Sequence, residues 1–594
     1  MMNKNTYSMR DRNWKRPQWS YSFESVLVCI GVACNDQVLH LIPYNMIKHG
    51  RALFLIPFIV SEILIGLPCT FLMLSLGQFT SSGVITCWNF SPISTGFGVV
   101  FVTSCFLRYT MMLPENMTFL QVLFRIQEIP ISSCKEWNSW SAKSQTQNTS
   151  FCENYIYDVM DTWRWNQSGY DVEGTLDSIG DVNWTLALLS FGTVVIVILI
   201  VILDTRTLGK VAFITVGVLL AVPIILFVRG LTLPGANEMA NLLWKADASK
   251  LKDMETWSDA FTSSLYGHGI ITGFYITIGS FNHFHNDCFR DSLIIVVSRI
   301  VWGIFGTHAM FCIIGFVMRQ TNTETIDPAQ WLFNREAMLS LLPEGKIWIG
   351  MGFFYFICAF IQYGATAVLT IITALTDCFP TIFKNRKRRL FLLVILCVTI
   401  WLLSLPMATP EGLQLEYYLL YSVDRYHLLT LVGFCLLPVI GFFYGVFRFC
   451  EDVGTMTKNR VCCCLPWTLI KYPFIFLWTF GTFYTLLASF VLKFLSGSSS
   501  DSTYEKGHWT VHLSNFINAL IIAPIPLCAF GVLLYYLVKT PGEIVTKVNA
   551  ALKPTKYWGP LKLENRKEVF SRWRPYGLTE DPWSNQTEIS TSEN

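Results

Sequence analysis

An arginine, Arg299, stands inside the apolar run SLIIVVSRIVWGIFG, and its guanidinium stays charged in any protein environment. About 2.5–3.5 kcal/mol is the lower estimate for holding it at the centre of a membrane helix, so it needs a partner or water. Two carboxylates share its situation, because Asp36 and Glu115 also interrupt apolar stretches. Asp36 and His40 share one helical face at i, i+4, and Arg108 and Glu115 do so at i, i+7. Such groups can form a buried polar network lining a cavity for an ion or solute, or they can pair locally and only hold helices together. Spacing leaves both readings open. Arg299 also has a bland alternative, which is to snorkel to the end of its helix near Arg290, roughly 14 Å away at 1.5 Å per residue.

Other chemistry is thin. No nucleophile, base and acid form a catalytic constellation, no phosphate loop is present, and His40, His268, His283 and His285 lack metal-ligand company. The chain reads as a non-enzyme without a cofactor.

The elements that position these groups are membrane helices. Charged residues make up 14% of the 594 residues and apolar residues 52%, gathered into stretches such as Leu186–Leu203, Val211–Val228 and Ile517–Leu537. Each approaches the roughly twenty residues that cross a hydrocarbon core, and in lipid every backbone amide needs an internal partner, which predicts an all-α polytopic protein of about twelve spans. Lys4, Arg10, Arg12, Lys15 and Arg16 precede the first span, and Lys384, Arg386, Lys387, Arg388 and Arg389 precede the ninth. Basic clusters mark the cytoplasmic side, so both termini are expected inside: a tail over 1–20, a membrane domain over 21–538 and a second tail over 539–594. Partners are then the lipid bilayer and a small solute rather than nucleic acid.

The longest polar insertion, 126–183, falls outside under this topology. It carries sequons at Asn148, Asn166 and Asn183, expected to be glycosylated, and two cysteines, Cys134 and Cys152, expected to be disulfide-bonded in an oxidising compartment.

Seven segments in order resemble the sodium:neurotransmitter symporter family. They are Arg16-Pro-Gln-Trp19, LGQFTSSG at Leu76–Gly83, RGLTLPGA at Arg229–Ala236, WSDAF at Trp257–Phe261, FNHFHNDCFRD at Phe281–Asp291, LPMATPEG at Leu405–Gly412 and YGVFRFCEDV at Tyr444–Val453. The resemblance implies a plasma-membrane carrier of amino acids or amines. Its first ten helices would form two inverted five-helix repeats, with helices one and six broken to bind substrate and ions, an arrangement for which this family is a standard example.

Position by position, the resemblance implies that ion chemistry has been dismantled. Gly31, Ala33 and Cys34 stand at helix-one positions, but Asn35 and Gln37 replace glycines that let the family's helix unwind, and Val38 replaces a sodium-ligating asparagine. Valine offers a hard cation no oxygen. Gly267 replaces a hydroxyl ligand, although Gly267, Gly269 and Gly273 still permit helix six to break. Arg299 replaces an asparagine shared by sodium and chloride. Near Ala359, Gln362 and Tyr363 replace the aspartate and serine of the second sodium site, and Met73 replaces a glutamate that braces helix six. Ile47, Ser263 and Gly303 leave the chloride position a single hydroxyl. Arg299 would then supply a fixed positive charge near the vacated first site, paired with Asp36 or Glu115.

The gates change as well. Leu41 and Leu436 stand where the family has an outer ion pair, and Met112 stands where a tyrosine caps the substrate. Arg16, Trp19 and Asp377 keep the inner-gate pattern. The expectation is a transporter-like protein moving a small amino acid or amine by alternating access with sodium and chloride coupling lost or altered. The competing expectation is a non-transporting pseudotransporter that acts as a sensor, receptor or trafficking partner.

Overall fold

A computed structural model describes residues 16–124, 180–203, 205–235, 243–245, 247–321, 335–383, 385–425, 441, 444–462, 465–496, 508–555 and 557–573. Cys134, Cys152, Asn148, Asn166 and Leu436 lie outside them. Among the described residues the only strands are Arg460–Val461 and Leu465–Pro466, which form one short antiparallel pair.

Among the described residues eight helices are long and apolar enough to cross a membrane, or nine when the bent pair 509–539 is taken as one span. Two further segments are built of half-helices. The first comprises α1 (Ser22–Ala33) and α2 (Leu41–Lys48), separated by a single tight turn over Asp36–Val38. Next come α3 (Arg51–Thr80), α4 (Thr95–Phe124), α5 (Trp184–Val201) and α6 (Thr205–Leu231). The second broken segment comprises α7 (Met254–Gly267) and α8 (Phe274–Gly279), with a turn at Ile270–Thr272. Four elements follow it: α9 (Cys288–Thr321), α10 (Gly345–Cys378), α11 (Arg386–Ser404) and α12 (Gly412–Arg425). Each broken helix thus heads a set of five. The apolar stretch Leu428–Phe447, expected as a further span, lies mostly outside the described residues.

The two breaks have different causes. Gly269 and Gly273 adopt φ of +58° and +70°, the left-handed region that side chains resist, and they flank the turn in the second segment. The first break contains no such glycine. Instead the side chain of Asn35 accepts the backbone N–H of Gln37 at 3.1 Å, a local turn that competes with helix propagation. Replacing the glycines of the family pattern therefore leaves the interruption in place.

Helix α3 is not uniform. Residues Glu62–Gly66 form a π turn, a wide turn that re-aims the side chains on it. Further along, α3 meets α8 backbone to backbone: a Cβ on Gly77 would fall 2.0 Å from the Ile276 carbonyl oxygen, and one on Gly279 would fall 2.6 Å from that of Leu74. Small residues at such crossings are what allow membrane helices to approach closely.

Candidate functional site

Arg299, on α9, is fully buried, so it does not snorkel. Its guanidinium is held from four sides. Nε donates to Glu62 Oε1 at 3.1 Å, one terminal nitrogen donates to the Ala33 carbonyl at 2.7 Å, and the other donates to Gln37 Oε1 at 3.0 Å and to the Ser263 carbonyl at 3.1 Å. Two helix ends, those of α1 and α7, thus turn backbone oxygens onto one cation. That is the donor set a hard metal ion would recruit, satisfied here by a tethered charge.

The carboxylate that pairs with Arg299 is Glu62, on the π turn of α3 and equally buried. This corrects the expectation for Glu115, which instead accepts the Tyr417 hydroxyl at 2.9 Å. The side chain of Asp36 is outside those described. Arg108 lays its guanidinium over the ring of Tyr266, 5.1 Å from the centroid.

Glu62 has a second partner that sequence reasoning missed. Its Oε2 lies 2.6 Å from His268 Nε2, and His268 Nδ1 lies 3.2 Å from the Tyr275 hydroxyl. A carboxylate only accepts, so His268 donates to it from Nε2. The chain Arg299–Glu62–His268–Tyr275 runs from the broken first segment to α8. The available signal was Glu62 itself, a carboxylate in the run IPFIVSEILIGLP, which deserves the same question as any ionisable group in an apolar helix. Met73, at the position the family pattern gives to a bracing glutamate, is buried and apolar; Glu62 reaches the broken helix from three turns earlier.

Gly267 also takes a different role from the expected one. It ends α7 without a left-handed backbone, and a Cβ there would fall 1.9 Å from an Arg299 terminal nitrogen. Its missing side chain makes room for the guanidinium, so Gly267 and Arg299 are two halves of one exchange.

Near the second aligned ion position, Gln362 is fully buried, with Oε1 accepting the Thr215 hydroxyl at 3.0 Å. Its Cγ crosses Gly31 so closely that a Cβ on the glycine would fall 2.9 Å away. The Gln362 side chain fills the gap between α1 and α10. Gly303, near the aligned chloride position, faces Ile42 and Phe58. Val38 is completely buried, and its carbonyl oxygen packs on Gly306.

A cavity of about 140 Å³ opens beside this network. Asn35, Gln37, Met112, Gly269, Ala359 and Tyr363 line it, together with Arg108, Asn116 and Thr272. It is well below the few hundred Å³ of a drug-sized site, so it suits a small ligand. Gln37 belongs both to this lining and to the Arg299 shell, linking the two. Leu41 begins α2 above it.

Below the cavity, Arg16 forms a fork with Asp377, 3.0 Å and 2.8 Å to the two carboxylate oxygens, and donates to the Ser280 hydroxyl at 2.8 Å. Asp377 also accepts the Gly83 backbone N–H at 2.6 Å. Trp19 is buried, and its indole N–H donates to the Ile278 carbonyl at 3.1 Å. These contacts tie the segment before α1 to α8 and α10, and α10 to the residues just after α3. Among the described residues no group of three or more metal-type side chains converges.

Asn183, one of the expected glycan sites, caps α5: its side-chain oxygen accepts the backbone N–H of Thr185 and of Leu186 at 3.0 and 3.4 Å.

Paired broken helices beside a small cavity, with a part-buried ion pair between Arg16 and Asp377, fit the architecture of a multi-pass secondary transporter. The chain belongs to the sodium:neurotransmitter symporter family, whose model matches residues 16–536. It is 26% identical to the sodium- and chloride-dependent glycine transporter 2 of Xenopus laevis, over 94% of this chain and 74% of that one. It is 25% identical to the creatine transporter of Torpedo marmorata, over 89% and 87%. Identity to the sodium- and chloride-dependent GABA transporter 2 of Bos taurus is 28%, over 78% of each.

Proposed function

We propose that this protein carries a small amino acid or amine across the plasma membrane by alternating access, both termini cytoplasmic, with Arg299 standing in place of the first sodium ion. The observation that carries this reading is the guanidinium on the Ala33 and Ser263 carbonyls, charge-paired with Glu62. A sodium ion entering there would meet a fixed positive charge and find its oxygens taken. Gln362 across Gly31 supports the same conclusion for the second ion, and Gly303 against Ile42 and Phe58 supports it for chloride. The tethered charge keeps the electrostatic balance of the broken helices without an ion gradient, and the cavity beside it receives the solute. The proposal assigns no catalysis and no cofactor to the chain.

A second reading, a non-transporting sensor, is favoured by the Gln362 side chain, which ties α1 to α10 and resists their separation. A panel of amino acids and amines, tested for thermal stabilisation and for uptake with sodium and with choline, separates the two. A carrier gives stabilisation and uptake that are equal in both salts, and a sensor gives stabilisation without uptake. Steeply sodium-dependent stabilisation overturns the role given to Arg299.

A further inference from the structure

A second pair of acidic groups lies outside the Arg299 network. Glu416, on α12, is fully buried, and neither of its carboxyl oxygens has a hydrogen bond of ordinary geometry. Among the described residues, the charged group that acts on it is the Glu115 carboxylate of α4, whose helix is tied to α12 by the Tyr417 hydroxyl. Glu115 accepts the hydroxyl of Tyr417, the residue next to Glu416 on α12. Two carboxyl groups facing each other do not readily both ionise, because like charges at short range in a low-dielectric site repel strongly. The other titratable groups on the packed elements are Tyr417, Tyr418, Tyr421, Asp424 and Arg425 of α12, Cys105, Arg108 and Tyr109 of α4, and His508 and His512 of the helix His508–Ile522; the side chains of Tyr421, Asp424, Arg425 and His508 are outside those described. Arg108 is engaged over Tyr266, and Tyr109 packs on Phe360 and Tyr363.

The location connects the pair to the solute cavity. Met112 and Asn116, which line that cavity, precede and follow Glu115 on the same helix. Pro114, immediately before Glu115, removes one rung of the α4 ladder there, and a helix interrupted at that point responds to forces on either side. A change in the charge of the pair therefore acts on the wall of the cavity.

We propose that Glu115 and Glu416 together form a binding site for one exchangeable proton, which the carrier takes up and releases as it cycles. The step moves one proton between water and a carboxyl oxygen, and no other bond changes. The proposal rests on the carrier reading, and its test keeps the two apart. Infrared difference spectra of the purified full chain, recorded between acidic and alkaline pH, report protonated carboxyl groups directly. The unmodified protein should show one protonated carboxyl that Glu416→Gln lacks, and Glu115→Gln/Glu416→Gln should match the single variant. Glutamine keeps the shape and removes the charge, and the thermal melting of Glu416→Gln should depend less on pH than that of the unmodified chain. Identical carboxyl spectra and identical pH profiles in the unmodified protein and Glu416→Gln would overturn the proton site. Uptake of the solute panel in vesicles with an imposed pH gradient is the second arm: no uptake with the carboxyl signal intact overturns the carrier reading and the proton's role in a cycle, while uptake that ignores the gradient overturns that role alone.

Discussion

Arg299 and Glu62 are each costly to bury and affordable only together, so removing one strands the other. Arg299→Met should lower stability by about 3–5 kcal/mol, the usual consequence of leaving one member of a buried pair uncompensated, and Arg299→Met/Glu62→Met should recover much of that loss. Thermal melting of the four proteins in a double-mutant cycle measures it; a double variant as unstable as the sum of the singles would show that the pair does not act as a unit. Gly267→Ser tests the same exchange from the other side, since its Cβ would collide with the guanidinium. It should be strongly destabilising in the unmodified protein and tolerated when Arg299 becomes asparagine. At this scale the sequence revealed the need but not the answer. Arg299 was visible as a charge in an apolar run, but its partner was sought in Asp36 and Glu115. The family pattern drew attention to Met73, while the acid that reaches the site sits on a π turn three helical turns earlier. A π turn changes which face a residue occupies, and apolar periodicity does not report it.

The broken helices are fixed by particular backbone and side-chain features. Gly273 holds φ of +70°, and a Cβ there would also meet Val84 at 2.6 Å. Gly273→Ala should therefore cost more than the roughly 1–2 kcal/mol of a left-handed residue alone, read as a drop in melting temperature. Tolerance equal to that of an exposed helix glycine would remove the argument that this turn is fixed. The second break was legible from its glycines. The first was not, because Asn35 achieves through a side-chain hydrogen bond what glycine achieves through its backbone. At the end proposed to face the cytoplasm, Asp377→Ala removes both the Arg16 fork and an acceptor for the Gly83 backbone N–H. A cysteine placed at Thr272, in the cavity wall, should then label faster from the cytoplasmic side. Unchanged labelling would mean that the Trp19 contacts alone keep this end shut.

Across the whole molecule, the all-α polytopic plan was legible because long apolar stretches and the demand for internal hydrogen bonds in lipid leave few alternatives. What the apolar pattern could not supply was the identity of the charge neutralising the centre, since that depends on which faces of α1, α3, α7 and α9 converge. The polar insertion 126–183 carries its own prediction: Cys134 and Cys152 should close a short loop worth about 3 kcal/mol in the chain-entropy model, and Asn148, Asn166 and Asn183 should accept glycans. Non-reducing peptide mapping and glycosidase treatment of surface protein test this, and a free Cys134 thiol would contradict the disulfide.

The central claim is that a guanidinium has taken the place of an ion. It is tested most directly by melting the purified protein in sodium chloride, choline chloride and sodium gluconate at equal ionic strength, beside the variant Val38→Asn/Gly267→Ser/Arg299→Asn. The account predicts one melting temperature for the unmodified protein in all three salts and a sodium-dependent rise in the variant, whose oxygens are freed for the ion. A melting temperature of the unmodified protein that climbs with sodium concentration would contradict it.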